Sequence, residues 1–81
     1  MLYLTDGKRH LVCLPYSEED LHKMADDLGI GRHWFHRGKY PHYDIPKKRI
    51  DEIENKCYKV TSKLIIKVIK GDIKCHSQLQ F

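Results

Sequence analysis

The chain has no long hydrophobic run, and its cysteines are few. Nowhere do about 18 apolar residues follow one another, so we expect no membrane span. Three charges among the first nine residues argue against a signal peptide. The cysteines are Cys13, Cys57 and Cys75; they lack the CxxC spacing of many zinc sites, and their odd number favours free thiols. We therefore expect a protein of the reducing cytoplasm.

The common motifs of catalysis are missing as well. The sequence contains no GxSxG nucleophile turn and no glycine-rich loop that could cradle a phosphate. A chain of 81 residues has room for one compact domain, residues 1–81, and none for a separate catalytic domain. These absences leave enzyme activity open and favour a binding role.

Charge is distributed unevenly along the chain, whose formal net charge is +4. Residues 17–27 contain five acids and one lysine, whereas residues 32–49 contain six bases and one acid. We therefore expect an electrically two-sided molecule. A basic surface favours a phosphate-bearing partner, although a solvated lysine-rich surface would explain the pattern equally well.

The first third of the chain predicts a hairpin followed by a helix. Two apolar runs, residues 2–6 and 10–15, flank a glycine-containing turn. Ser17 is then placed as an N-cap, and apolar residues recur at i, i+3, i+4 and i+7. Gly29 supplies a left-handed stop, so we predict a helix over residues 17–28.

A second helix is predicted from the residues around Pro46. Asp44 stands where an N-cap belongs, and proline is tolerated in a first turn, so the helix should span residues 45–56. Further elements are an extended segment over 32–36, a short strand over 58–61, a helix over 63–70, and a tail over 72–81 that is either loose or docked as an edge strand. Together these elements predict an α+β domain in which a small sheet of short strands is packed by about three helices.

Residues 31–46 differ from the rest of the chain because they combine histidines, arginines and aromatic rings with a single carboxylate. Arginines interleaved with aromatic rings are typical of sites for nucleotides and nucleic acids. In this interpretation Arg32 and Arg37 contact phosphate and Tyr40 or Tyr43 stacks on a base. The ligand-binding residues predicted in full are Arg32, His36, Arg37, Tyr40, His42, Tyr43, Asp44 and Arg49. Trp34 and Phe35 are more typical of a core.

Two other functions remain open from the same residues. A divalent metal could be held by His33, His36, His42 and Asp44, which would suit a metal-assisted phosphoesterase or nuclease with His42 and Asp44 as catalytic groups. In the binding interpretation no cofactor is expected. A third possibility is a protein-binding inhibitor of a host factor. His10, His22 and His76 are assigned to the surface or to packing, and the oligomeric state is not predicted.

Several short motifs give the chain a family resemblance. They are Leu28-Gly29-Ile30, Trp34-Phe35, Pro41-His42-Tyr43-Asp44 and Lys48-Arg49, with Asp6 as a possible match in the first strand. On these motifs the chain resembles a family of small bacterial and bacteriophage proteins known as a domain of unknown function. Lys56-Cys57 stands where such proteins usually have Gly-Ala, and the last ten residues have no counterpart. The resemblance implies an accessory protein, in the host cytoplasm if phage-encoded, and implies no reaction.

Overall fold

The computed structural model describes residues 1–79, which form a five-stranded mixed sheet with three helices. The predicted α+β class is therefore confirmed. The strands are β1 (Leu2–Thr5), β2 (His10–Leu14), β3 (Phe35–His36), β4 (His42–Asp44) and β5 (Tyr58–Lys59). The helices are α1 (Glu18–Leu28), α2 (Ile50–Glu54) and α3 (Ser62–Ile69).

The hairpin of β1 and β2 forms the centre of the sheet. The two strands pair antiparallel with Leu2 opposite Leu14, and Gly7 supplies the positive φ of 75° that their connection requires. The strand order is β3-β4-β2-β1-β5, with β5 parallel to β1 and every other pair antiparallel. The predicted hairpin is confirmed.

Helix α1 follows the local signals closely. The Ser17 side chain accepts a hydrogen bond from the backbone amide of Asp20, and Gly29 ends the helix with a φ of 71°. Its apolar stripe is buried in the core and consists of Leu21, Met24, Ala25 and Leu28. The prediction of this helix is confirmed.

The prediction of a second helix over residues 45–56 was wrong at its start. The backbone stays in the sheet through β4, and the amide of Ile45 still bonds to the carbonyl of Arg9 at 2.8 Å. Proline disfavours helical geometry in the residue before it, so Pro46 keeps Ile45 extended. A 3₁₀ turn at Lys47–Arg49 then leads into α2, and Asp44 caps no helix.

Of the remaining elements, the two predicted extended segments are shorter in the structure, and the helix predicted over residues 63–70 spans Ser62–Ile69. Of the segment 32–36, Arg32–Trp34 forms a 3₁₀ turn, and only two residues pair as β3. Strand β5 is likewise shorter than predicted, and α3 is capped by Thr61. In the tail, Ile73 joins the core, a 3₁₀ turn follows, and residues 72–79 form no strand. The rest of the predicted tail, residues 80–81, lies outside the described residues.

The two faces of the sheet have different neighbours. Side chains alternate along a strand, so Leu11 and its partner Tyr43 share the face that meets α1. His10 and Val12 lie on the other face, where α3 packs on β1 and β2. Residues 11–14 are all buried, because β2 is covered on both sides. None of the helices in residues 1–79 is long and apolar enough to cross a membrane.

Candidate metal centre

Strand pairing brings three histidines and an aspartate onto the α3 side of the sheet. His36 on β3 lies directly opposite His42 on β4, and His10 on β2 lies opposite Asp44 on β4. His42 and Asp44 are two residues apart on one strand and therefore point to the same face. The four side chains, which we call the histidine cluster, thus come from three adjacent strands.

Asp44 is the acceptor at the middle of the histidine cluster. Its Oδ2 atom lies 2.9 Å from Nε2 of His36, and its Oδ1 atom lies 3.2 Å from Nε2 of His42. The rings of His36 and His42 stack with centroids 5.3 Å apart, and His10 meets His42 edge to face at 5.2 Å. The sequence interpretation that joined His36, His42 and Asp44 in one site therefore matches their placement.

Two of the histidines have their Nδ1 atoms occupied. Nδ1 of His42 lies 2.7 Å from the carbonyl oxygen of Tyr40, and Nδ1 of His10 lies 2.5 Å from Oδ2 of Asp6. Because a carbonyl or a carboxylate can only accept, each Nδ1 carries the hydrogen. A metal ion would therefore be bound through Nε2 of each ring, and in His42 it would replace the hydrogen that Nε2 shares with Oδ1 of Asp44. A carboxylate or carbonyl behind a histidine is the usual support of a metal ligand.

Asp6 is the support behind His10. Its side chain is 0% exposed, its Oδ1 accepts from the backbone amides of Lys8 and Arg9, and its Oδ2 accepts from the Ser62 hydroxyl at 2.7 Å. Burial alone would raise the pKa of Asp6. The hydrogen bonds from His10, Ser62 and the Lys8 amide outweigh burial and hold that pKa well below its usual value. Asp6 is therefore an ionised carboxylate at neutral pH.

Three members of the histidine cluster have the spacing of metal ligands. One donor atom from each of His10, His42 and Asp44 lies within 4.8 Å of the other two, the only such group among residues 1–79. Two ligand atoms about 2.1 Å from a zinc ion are about 3.4 Å apart at the tetrahedral angle, close to the separation of His42 and Asp44. The distances from His10 to the other two donors, which are within 4.8 Å, are the ones that an ion would adjust.

His33, which the sequence suggested as a ligand, is not in this group. Its exposed ring contacts the ring of Trp34, with centroids 5.2 Å apart. His10, which the sequence assigned to the surface or to packing, takes that place in the geometry. The set of predicted metal ligands is thus revised. His42 and Asp44 remain in it, His10 replaces His33, and His36 lies beside the ligands.

The arginines predicted to bind phosphate make contacts elsewhere. Arg37 forms a two-pronged ion pair with Glu18 at the start of α1, and Arg32 approaches Asp26 at 3.9 Å near its end. The basic segment is thus folded against the acidic helix, so the separation of charge expected from the sequence is partly neutralised. Arg49 donates to two backbone carbonyls at the end of α1. None of the three is brought into the histidine cluster.

The predicted stacking role of Tyr43 is corrected by its position. Tyr43 is 0% exposed and lies on the α1 face of the sheet, where its hydroxyl is 2.6 Å from Nδ1 of His22. A ligand cannot reach the ring without opening the core. Tyr40 is partly exposed and lies beside His42, so a contact with a ligand stays possible for it. Trp34 and Phe35 are partly buried and pack against the core.

A small pocket adjoins the histidine cluster. It has a volume of about 150 Å³ and lies between the sheet and α3. Its polar lining residues are Asp6, His10, Tyr40, His42 and Ser62, and its apolar ones are Ile65, Ile66 and Ile69. A ligand bound at the histidine cluster would therefore have an apolar space beside it.

Sequence reasoning missed His10 and the supporting role of Asp6. Asp6 and His10 are four residues apart, a spacing that fits the two ends of one hairpin turn. No local sequence signal indicates, however, that β2 pairs with β4. That pairing alone places His10 opposite Asp44. The signal that was available is the aspartate at the end of the first strand, which had been noted only as a motif.

Comparison with known proteins gives a family and no further relatives. A family model described as a protein of unknown function (DUF4031) matches residues 7–70, which include the whole histidine cluster. No curated protein and no solved structure gave a significant match. Because the match spans most of the sequence, the chain belongs to the DUF4031 family.

Proposed function

We propose that the protein is a metal-dependent phosphoesterase whose metal ion is bound by His10, His42 and Asp44. The observation that supports this function is the convergence of these three donors, with Nδ1 of each histidine held by an acceptor behind it. Two imidazoles and a carboxylate suit zinc, manganese or ferrous iron better than magnesium or calcium, which prefer oxygen ligands.

Three protein ligands leave a coordination position for water or substrate. Zinc held by these residues would supply a bound water acidic enough to lose a proton near neutral pH. The same ion can bind a phosphate oxygen and offset its negative charge. Both the nucleophile and the electrostatic stabilisation would thus come from one ion, without the GxSxG or glycine-loop motifs that the sequence lacks.

His36 is suited to proton transfer in this reaction. Its side chain is 53% exposed and its Nε2 contacts Asp44, so it is held beside the metal position while remaining open to solvent. In hydrolysis, water adds to phosphorus, the ester P–O bond breaks, and the departing oxygen takes a proton to leave as an alcohol. His36 in its protonated form would donate that proton, and it would regain one from the water molecule that ionises to supply the next hydroxide.

The local charges favour a metal-dependent site over the metal-free binding module expected from the sequence. The histidine cluster contains the carboxylate of Asp44 and contacts that of Asp6, and the predicted arginines are engaged with α1. Like charges would repel a phosphate there unless a cation offsets them. A metal-free module for nucleotides or nucleic acids is therefore the weaker proposal. The cytoplasmic location, the phage origin and a host protein partner stay predictions from the sequence.

The direct test is hydrolysis of p-nitrophenyl phosphate by protein stripped of metal and then reconstituted with zinc, manganese or magnesium. We expect turnover that depends on a transition metal and is lost in His42→Ala, while circular dichroism shows that the variant folds. His33→Ala is the matched control, since this exposed histidine lies outside the ligand group and should retain activity. Turnover that persists in His42→Ala, or that never responds to metal, would contradict the proposed function.

A further inference from the structure

The pocket beside the histidine cluster has an apolar wall formed by one helix. Ile65, Ile66 and Ile69 of α3 line it, and together they form a continuous apolar side. Ile65 is nearly fully buried, whereas Ile66 is 37% exposed and is one of the few large apolar side chains that the core leaves uncovered. The packing of the core explains Ile65, but it does not explain Ile66.

The polar groups that line the pocket are already paired. Oδ2 of Asp6 accepts from both Ser62 and Nδ1 of His10, so these groups have few bonds left for a ligand. The surface that remains accessible in the pocket is almost wholly apolar. A polar group that entered it would lose its bonds to water without replacement, which costs free energy.

His10 and His42 belong both to the proposed metal centre and to the pocket. A phosphate oxygen bound to the metal would therefore have its ester group beside this pocket. The volume of about 150 Å³ sets the size of that group. Apolar cavities of about 150 Å³ are known to accept benzene.

We propose that this pocket receives the organic group of the substrate, and that the substrate is a phosphate ester of an apolar alcohol or phenol about the size of one six-membered ring. The inference rests on the proposed metal-dependent function and narrows its substrate class. A nucleobase fits less well, because its edge carries donors and acceptors that the isoleucine wall cannot satisfy. In this arrangement the bound substrate would cover the part of Ile66 that the core leaves exposed.

The test compares phenylphosphonate with methylphosphonate, two inhibitors that share a metal-binding group and differ in the apolar part. Calorimetry on the zinc-loaded protein should show phenylphosphonate binding about tenfold more tightly or better, the order expected when most of an aromatic ring leaves water. Uridine 5′-monophosphate should not share this advantage. Equal affinities for the two phosphonates, or tighter binding of the nucleotide, would overturn the inference.

A pair of variants on α3 localises the effect. Ile66→Ala removes an exposed part of the pocket wall and should reduce the preference for phenylphosphonate severalfold. Leu64→Ala is the matched control, because Leu64 lines a separate groove on the same helix, together with Lys59 and Lys67. If both variants keep the full preference, or both lose it equally, the pocket is not the site of the phenyl group.

A second readout separates this inference from the proposed function. Methyl signals of Ile66 and Ile69 are followed by nuclear magnetic resonance during a phenylphosphonate titration, with and without zinc. Shifts that need zinc support both proposals. Equal shifts without zinc support the pocket and contradict the metal centre, whereas an absence of shifts at saturating ligand with zinc bound overturns the pocket while leaving the metal centre in place.

Discussion

Asp6 is the single residue on which the geometry of the candidate site depends most. It joins the turn between β1 and β2, His10 on β2, and Ser62 at the start of α3. A buried carboxylate with this many donors fixes the ring of His10 in one orientation and one tautomer. Asp6 is therefore a positioning residue, and its loss should affect folding and metal binding together.

We expect Asp6→Ala to lower the free energy of unfolding by about 2 to 4 kcal/mol, since several donors lose a charged acceptor at once. Ser62→Ala removes only one of those donors and should cost about 1 kcal/mol. Urea unfolding measures both. A cost for Asp6→Ala no larger than that for Ser62→Ala would show that Asp6 is not the organising acceptor.

Residue types alone indicated part of the site. His42 and Asp44 were predicted together because they are two residues apart, so that a strand or a turn could direct both to one point, and the structure brings them together. His10 could not be predicted, because its partner lies 34 positions further along the chain and is reached only through sheet register. Tyr43 was misplaced for a related reason: alternation along β4 points it away from its neighbours and into the core.

Among the secondary-structure elements, α1 depends on a side chain from a distant part of the chain. Arg49, at the end of the 3₁₀ turn before α2, donates to the carbonyls of Leu28 and Gly29 at 2.7 and 2.8 Å. Carbonyls in the last turn of a helix lack partners within the helix, and a guanidinium also complements the negative end of the helix dipole. Arg49 is thus a structural connection between α1 and α2 and not a free phosphate ligand.

Arg49→Ala should therefore lower the midpoint of thermal unfolding, because two charge-assisted hydrogen bonds to the backbone are lost. Arg49→Lys should recover only part of this, since an ammonium cannot reproduce the planar fork. The neighbouring exposed Lys48 provides the control: Lys48→Ala should change stability by less than about 0.5 kcal/mol. Thermal unfolding of the three variants would contradict this role if Arg49→Ala behaved like Lys48→Ala.

Elements with complete local signals were predictable, and elements set by pairing were not. The hairpin and α1 have a turn glycine, an N-cap and a left-handed stop in their own sequences, and both were confirmed. The start of the second helix was wrong because Asp44, its predicted N-cap, pairs with His10 in the sheet and Pro46 keeps Ile45 extended. A strand of two residues such as β5 has too little pattern to be delimited from sequence.

In the molecule as a whole, the two faces of the sheet differ: one packs against α1, and the other carries the candidate site. Its α1 face contains the partly buried hydrogen bond between Tyr43 and His22, and Arg32 and Arg37 form ion pairs with α1. Its other face, toward α3, holds the histidine cluster and the pocket. Helix α3 thus has two roles in this arrangement, because it covers the core and also forms one side of the candidate site.

Burial of weak acids across the molecule predicts a loss of stability at alkaline pH. Burial raises the pKa of Cys13 and Cys57 from 9.0 to about 11, and that of Tyr3 and Tyr16 from 10.0 to about 12. Each group ionises in the unfolded chain at a lower pH than in the folded one. Its contribution is therefore fully present below the unfolded value and is lost as pH rises through the folded value.

We accordingly expect the urea midpoint to begin falling above about pH 9 and to continue falling toward pH 12. Cys57→Ser, which removes one of the partly buried thiols, should flatten the first part of this decline. A midpoint that stays constant between pH 9 and pH 11 would contradict the burial of these groups.

The central claim is that His10, His42 and Asp44 bind one metal ion, and calorimetric titration with zinc at neutral pH tests it most directly. Wild type and His33→Ala should each bind one equivalent with equal affinity, while His10→Ala should bind at least about tenfold more weakly. If His10→Ala bound zinc like the wild type, or if His33→Ala lost binding instead, the metal centre would lie elsewhere than the structure places these ligands.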